Sequence, residues 1–143
     1  MTDGLRKAYS VVCVILMLQY VLQLYLIAAV IFTITHANDN AHDIYAAFQE
    51  ADSGFLGVHR ANGDLAALLV IILLVLSFAA RLPRRTIGLT ALLFVLMLVQ
   101  ALIPALPTVV SALHGVNALL LIALTGYLTG TNWAFPRRAA ATG

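Results

Sequence analysis

Charged side chains are scarce in this chain. Asp, Glu, Lys and Arg make up 10% of its 143 residues, whereas 62% of the residues are hydrophobic. A soluble domain has about a quarter of its residues charged and about half of them apolar. The apolar excess is too large for a soluble core, so lipid must be the solvent for much of the chain. The short length favours a single transmembrane domain over residues 1–143.

Two further shortages exclude classes of function. Cys13 is the only cysteine, which excludes an internal disulfide, and we expect it to pack as a small hydrophobic group. The formal net charge of +2 is too weak to suggest nucleic acid as a partner. The sequence contains no Gly-rich phosphate loop, nucleophile elbow or zinc-protease helix signature, so whether the chain is an enzyme stays open.

Four apolar segments are each close to the roughly 20 residues that a membrane-spanning helix needs. They predict helices at about 9–34, 57–80, 86–105 and 109–130. None alternates between polar and apolar residues, which argues against a barrel. We therefore predict an all-α fold, an integral membrane four-helix bundle. The first segment is longer than the apolar region of a signal peptide and no cleavage site follows it, so we expect a retained helix.

The connection between the first two spans is long and acidic. Ile44, Ala47 and Phe48 recur in it at helical spacing, which predicts a short surface helix over 41–51 with Asn40 as its N-cap.

Basic residues are distributed unevenly around the four spans. Seven of the eight fall on one side of a four-span arrangement, and only Arg60 falls on the other. Because cytoplasmic loops carry an excess of Lys and Arg, we expect both termini and the turn 81–85 in the cytoplasm and the acidic loop outside. Trp133 and Tyr127 suit an aromatic belt at the inner interface. The expected location is the plasma membrane, crossed several times.

An internal repeat is the most informative pattern. The second span opens with His59-Arg-Ala-Asn62 and the fourth with His114-Gly-Val-Asn117, each followed by a long apolar run. Both spans run from outside to inside, so the histidines lie at similar depth, each with its Asn one turn inward on the same face. The chain is therefore expected to consist of two helical hairpins related by an approximate two-fold axis.

Two histidines at matched depth on facing helices predict axial ligation of a b-type haem by His59 and His114, with Asn62 and Asn117 beside them. Arg60 is placed to pair with a haem propionate, or instead with Asp64 four residues further on. A histidine near a helix end is also often an interfacial polar residue without any ligand. The pattern leaves that simpler interpretation open.

Other polar residues within or between the spans admit simpler interpretations. Gln19, Gln23 and Gln100 are expected to face the bundle interior, where they form interhelical hydrogen bonds or line a cofactor or quinone pocket. His36 and His42 lie among carboxylates of the outer loop, but their spacing matches no metal motif and loop composition explains them.

One resemblance adds to this interpretation. His59-Arg60 opening the second span, Leu-Val-Gln100-Ala-Leu late in the third and Leu-His114 opening the fourth resemble one four-helix half of a heme A synthase, from about Arg6 to Tyr127. In that family, paired histidines at the outer ends of the second and fourth helices ligate haem. The resemblance implies this ligand role for His59 and His114 and no further. The chain also resembles an uncharacterised family of small bacterial four-helix membrane proteins.

Three functions are consistent with the sequence. The first is a haem-binding protein that serves electron transfer or haem handling. The second is a cofactor-free accessory subunit of a larger membrane complex of the respiratory type, which the small size favours. A transporter ranks last, because Asp64 is the only acidic residue in a span and no ionisable relay crosses the midplane. Gly126 and Gly130 present a small-residue face for a homodimer or another membrane subunit, or for packing within the bundle.

Overall fold

The computed structural model describes residues 2–40 and 43–135, which are helical and turn structure without β-strands. The first and second spans are long, and a short helix precedes the second. The helices are α1 (Thr2–Asp39), α2 (Ile44–Ala51), α3 (Gly57–Ala79), α4 (Arg84–Leu102), α5 (Thr108–Ser111) and α6 (Leu113–Thr131). Four stretches, Thr2–Asp39, Ile44–Ala79, Arg84–Ala105 and Thr108–Thr131, are long and apolar enough to cross a membrane. The predicted all-α four-helix bundle is thereby confirmed.

The four long helices form a ring rather than a layer. α1 packs against α3 and α6, and α4 packs against the same two helices. α1 and α4 therefore lie on one diagonal of the bundle, and α3 and α6 lie on the other. The opening turns of the two helices that carry the His-x-x-Asn repeat thus face each other across the bundle axis.

The outer surface of the bundle is apolar. In the most apolar 18-residue stretch of each span, at most 28% is buried inside the protein. Large side chains such as Leu18, Phe32, Val75 and Leu119 point outward. This arrangement suits lipid as the surrounding solvent, since water would leave so much apolar surface exposed at high cost.

Buried residues of the first hairpin recur in the second hairpin at constant offsets in the sequence. The buried positions Tyr9, Cys13, Leu16 and Tyr20 of α1 match buried positions of α4 77 residues later, which are Thr86, Thr90, Leu93 and Met97. The buried positions Asn62, Ala66, Val70 and Leu73 of α3 match buried positions of α6 55 residues later, which are Asn117, Leu121, Thr125 and Leu128. The two predicted hairpins in pseudo-two-fold repeat therefore extend through the whole core.

Helix boundaries differ from the sequence prediction at the start of α1, which begins at Thr2, and at the long connection. α1 extends to Asp39, and α2 begins at Ile44 with the Asp43 carboxylate accepting hydrogen bonds from the amides of Tyr45 and Ala46. The prediction of Asn40 as N-cap is therefore wrong. The Asn40 side chain instead donates to the His36 carbonyl at 2.8 Å, which ties it to the end of α1.

A π-helical turn, Asp52–Leu56, joins α2 to α3 and bends at Gly54, where φ is −96° and ψ is −107°. The second span therefore continues from α2 through a kink at Gly54. At the other end of the bundle, α3 closes with a Schellman motif, in which Arg81 N–H donates to Phe78 and Leu82 N–H donates to Ser77. Arg81 takes the left-handed position that usually favours glycine, with φ at 49°.

Candidate functional site

A layer of polar side chains crosses the bundle near the end that carries the long connection. This polar layer consists of Gln19, Gln23, His59, Asn62, Gln100, His114 and Asn117. All seven are buried or half-buried between the helices. This bears out the expectation that the span glutamines face the interior, as polar groups in hydrocarbon must.

The two asparagines make equivalent contacts in the two hairpins. Asn62 donates through its side-chain amide to the Gln19 carbonyl at 3.2 Å, and Asn117 donates to the Leu96 carbonyl at 2.9 Å. Gln19 and Leu96 are related by the same 77-residue offset as the cores. Each asparagine thus connects a histidine-bearing helix to the neighbouring helix. In both hairpins, the residue whose carbonyl accepts this hydrogen bond lies four residues before a glutamine.

Those two glutamines, Gln23 and Gln100, are also 77 residues apart but behave differently. Gln23 donates to the main-chain carbonyl of His59 at 3.0 Å and makes no hydrogen bond to the imidazole. The Gln100 side-chain amide lies 2.9 Å from His114 Nε2, and its Oε1 accepts from Asn117 at 2.7 Å. The glutamine side chain therefore contacts the imidazole of His114 but not the imidazole of His59.

The His114 ring is held at both nitrogens. Its Nδ1 lies 3.1 Å from the Gln100 main-chain carbonyl, which can only accept a hydrogen bond. We therefore assign the proton of the neutral ring to Nδ1, and the Nε2 lone pair accepts from the Gln100 amide. This is the tautomer in which Nε2 is the metal-ligating atom.

The His59 ring makes no hydrogen bond in the part of the chain that the structure describes, and its Nδ1 is buried without a partner. Oε1 of Gln19 and Oε1 of Gln23 are likewise buried and unpaired. Unpaired polar atoms in a membrane interior are costly. The half of the polar layer around His59 thus has hydrogen-bonding and metal-ligating atoms that make no contact of this kind with the described residues.

The two imidazoles face each other across the bundle. Their ring centroids are 6.4 Å apart, and the ring planes are tilted by 56°. The structure therefore brings together the two histidines that the sequence paired. Arg60, the third residue of that prediction, is exposed and forms an ion pair with Asp52 rather than with Asp64. The π-helical turn carries Asp52 to this position, which helical spacing did not anticipate.

Over residues 2–40 and 43–135, no group of three His, Cys, Asp or Glu side chains is close enough to hold a metal ion. His36 lies in the last turn of α1 beside Asn40. His42 and the topology markers Arg137 and Arg138 lie outside the described residues. A Cβ added at Gly126 would lie 3.9 Å from Met17 of the same bundle, whereas one added at Gly130 would meet nothing within 4 Å among the described residues. That contact favours packing of Gly126 within the bundle.

The opposite end of the bundle carries a polar network whose members hydrogen-bond to one another. Tyr9 and Thr90 share a hydrogen bond of 2.8 Å, and Thr86 donates to the Asn132 side chain at 3.1 Å. Ser10 donates to the Asn132 carbonyl at 2.8 Å. These contacts join α1 and α4 to the segment after α6 and explain the position of that end. The polar layer, by contrast, holds several unpaired atoms.

Among known families, one described as a family of unknown function (DUF6220) matches residues 45–109. The matched segment is just under half of the chain and includes His59 and Gln100 but not His114. It is compatible with the predicted similarity to an uncharacterised family. No curated protein and no solved structure matches the chain. The resemblance to a heme A synthase half finds no support there and stays a prediction.

Proposed function

We propose that this protein binds a b-type haem in its membrane bundle, with His59 and His114 as axial ligands, and serves electron transfer or haem handling. The observation that carries the proposal is the 6.4 Å separation of the two imidazole centroids. Two imidazoles that ligate one metal ion from opposite sides have centroids roughly 6 Å apart, because each metal–nitrogen bond is about 2 Å long.

The chemistry of the two rings supports the same site. An axial imidazole must be neutral and almost always donates its other N–H to a carbonyl, carboxylate or water. His114 has this partner in the Gln100 carbonyl. The His59 ring makes no hydrogen bond to residues 2–40 or 43–135, so its nitrogens are available to a ligand. A bound haem supplies one-electron redox chemistry at a potential tuned by its axial ligands and surroundings.

The remaining predicted residues take supporting roles in the proposal. Asn62 and Asn117 use their amides on main-chain carbonyls, so they would fix the helices that carry the ligands rather than touch the haem. Arg60 is exposed at the same end and would exchange its Asp52 partner for a propionate. The porphyrin ring is much larger than the iron that it holds, so haem binding requires side chains of the polar layer to move aside.

The experiment is the absorption spectrum of detergent-purified protein from cells supplied with haem. We expect a low-spin b-type spectrum that His59→Ala and His114→Ala each abolish, with haem retention greatly reduced. His36→Ala is the matched control, since it lies on the same end of the protein outside the polar layer, and it should leave the spectrum unchanged. Colourless protein that co-purifies with a large membrane complex would instead support the accessory-subunit function.

We also propose that both termini are cytoplasmic and that the membrane is the plasma membrane. The seven-to-one division of basic residues supports this orientation. The Arg85 guanidinium lies 5.6 Å from the centre of the Tyr127 ring at the same end, which suits an interfacial belt. We propose in addition that the protein forms a homodimer or associates with another membrane subunit.

Cysteine labelling tests the orientation. In intact cells, an impermeant thiol reagent should label Asp43→Cys and should not label Arg84→Cys. Native Cys13 gives no background, because it is fully buried between the helices. Lysed cells should show labelling of both variants, which controls for reactivity. Labelling of position 84 alone in intact cells would reverse the proposed topology.

A further inference from the structure

We infer that Gln100 is a positioning residue with two roles: its carbonyl sets the tautomer of His114, and its side-chain amide covers the Nε2 lone pair. His114 can then bind an electrophile only after the amide has moved away. This inference deepens the proposed haem function and rests on it where iron is the electrophile. The covering of Nε2 can also be tested without haem.

Gln100 makes two contacts with the His114 ring. The Gln100 carbonyl lies 3.1 Å from Nδ1, and its side-chain Nε2 lies 2.9 Å from His114 Nε2. A carbonyl accepts and an amide donates, so together they favour one tautomer and occupy both ring nitrogens. Main chain and side chain of one residue therefore fix the ring and block it at the same time.

A hydrogen bond from Asn117 holds the Gln100 amide in place. Gln100 Oε1 accepts from Asn117 Nδ2 at 2.7 Å, which orients the amide with its N–H groups toward the imidazole. Asn117 is 6% exposed and also donates to Leu96 on α4. The covering amide is thus part of a hydrogen-bonded chain between α4 and α6 rather than a free side chain.

Among the described residues, no amide covers the His59 ring in this way. Gln23 occupies the position that matches Gln100, yet its amide donates to the His59 main chain. Gly63 permits this approach, because a Cβ there would lie 3.3 Å from Gln23 Nε2. The matching residue of α6 is Ala118, whose Cβ would oppose the same approach by Gln100. This methyl group therefore disfavours the same direction for the Gln100 amide.

When His114 reacts, its Nε2 lone pair forms the new bond and the hydrogen bond from the Gln100 amide breaks. With a metal, Nδ1 keeps its proton and its hydrogen bond to the carbonyl, and no electron changes hands. With diethyl pyrocarbonate, Nε2 attacks a carbonyl carbon, and ethyl carbonate leaves with the Nδ1 proton. Both reactions require the same uncovered lone pair.

The test compares Gln100→Met with Gln23→Met, which removes the matching amide of the other hairpin. Detergent-purified, haem-free protein is treated with diethyl pyrocarbonate, and modification of each histidine is followed by mass spectrometry. In wild type, His59 should react faster than His114. Gln100→Met should raise the His114 rate about tenfold, as the loss of one hydrogen bond permits, and Gln23→Met should leave it unchanged.

Loss of structure is a separate outcome that the design detects. Asn117 keeps its bond to the Leu96 carbonyl in Gln100→Met, so the bundle should stay folded. Circular dichroism checks this, and Gln100→Ala gives a second variant without the amide. Hemin added to the same samples should produce the low-spin spectrum about tenfold faster in Gln100→Met than in wild type.

The outcomes separate the two proposals. A His114 rate that is unchanged in both folded Gln100 variants, or raised equally by Gln23→Met, would overturn the inference about Gln100. Colourless protein with a His114 rate that rises only in the Gln100 variants would support the covering amide and refute the haem function. A rise in both the modification rate and the hemin rate would support both.

Discussion

The hairpin α1–α3 and the hairpin α4–α6 share one pattern of residues but differ in how that pattern is hydrogen-bonded. Both place a glutamine, a histidine and an asparagine in the polar layer at matching positions. In α4–α6 the glutamine contacts the imidazole and the asparagine, and in α1–α3 it contacts only the main chain of its histidine. A symmetric sequence signal therefore yields one restrained imidazole and one free imidazole.

One contribution to this difference is local. A Cβ at position 63 would lie 3.3 Å from Gln23 Nε2, which is a tight contact, and the matching residue of the other hairpin, Ala118, carries a Cβ. The connections also differ in length, since Gln23 and His59 are separated by 36 residues and Gln100 and His114 by only 14. A short connection keeps α4 and α6 in close register at this end, which favours the contact between the Gln100 side chain and the His114 ring.

The largest expected effect comes from removing the asparagine of each hairpin in turn. Asn117 makes two hydrogen bonds, and its loss also leaves Gln100 Oε1 unpaired, whereas Asn62 makes one. Asn117→Leu should therefore lower the free energy of unfolding by about 1–2 kcal/mol, and Asn62→Leu by less than about 1 kcal/mol. Unfolding in mixed detergent and SDS measures both. Equal losses would mean that the hairpins are energetically equivalent.

A smaller effect is expected from exchanging the residues that set the direction of the glutamines. Gly63→Ala should displace the Gln23 amide from the His59 carbonyl and direct it toward the His59 ring. The stability should stay within about 1 kcal/mol of wild type, because alanine favours the helix by up to about that amount. His59 should then react more slowly with diethyl pyrocarbonate.

The matched control is Ala118→Gly, which should have the opposite effect on His114. Its ring should react faster, because Gln100 gains access to the main chain of α6. If neither substitution changes the reactivity of its histidine, the two hairpins differ for a reason other than this methyl group.

The smallest effect is expected at the turn that joins the two hairpins. Arg81 has a left-handed backbone conformation, which costs a residue with a Cβ roughly 1 kcal/mol relative to glycine. Arg81→Gly should therefore raise the free energy of unfolding by up to about 1 kcal/mol while both histidines keep their wild-type reactivity. Any change in His59 or His114 would show that the turn, and not the polar layer, sets the difference between the hairpins.

The sequence predicted the parts of the structure that depend on periodicity. Long apolar runs set the four helices, and the His-x-x-Asn repeat identified two positions that do face each other. The pairing of Gln23 with Gln100 was missed, although the 77-residue offset could have revealed it once the hairpins were aligned. The different directions of the two amides depend in part on the methyl group of Ala118, which no pattern of hydrophobicity encodes.

Predictions failed where irregular backbone decides the contact. Asp43 caps α2 because α1 continues past the predicted boundary and holds Asn40. Arg60 pairs with Asp52 because a π-helical turn precedes α3, and helical spacing alone pointed to Asp64. Both misses lie in the long connection, where caps and bends, rather than helical period, determine which side chains meet.

The most direct measurement of the central claim is the haem content of the purified wild-type protein. After expression with ample haem, a pyridine haemochrome assay should give one b-type haem per chain, and the protein should have a low-spin absorption spectrum. This follows from two imidazoles that face each other 6.4 Å apart in a membrane bundle. Folded protein that is colourless, and stays colourless when hemin is added, would contradict the account.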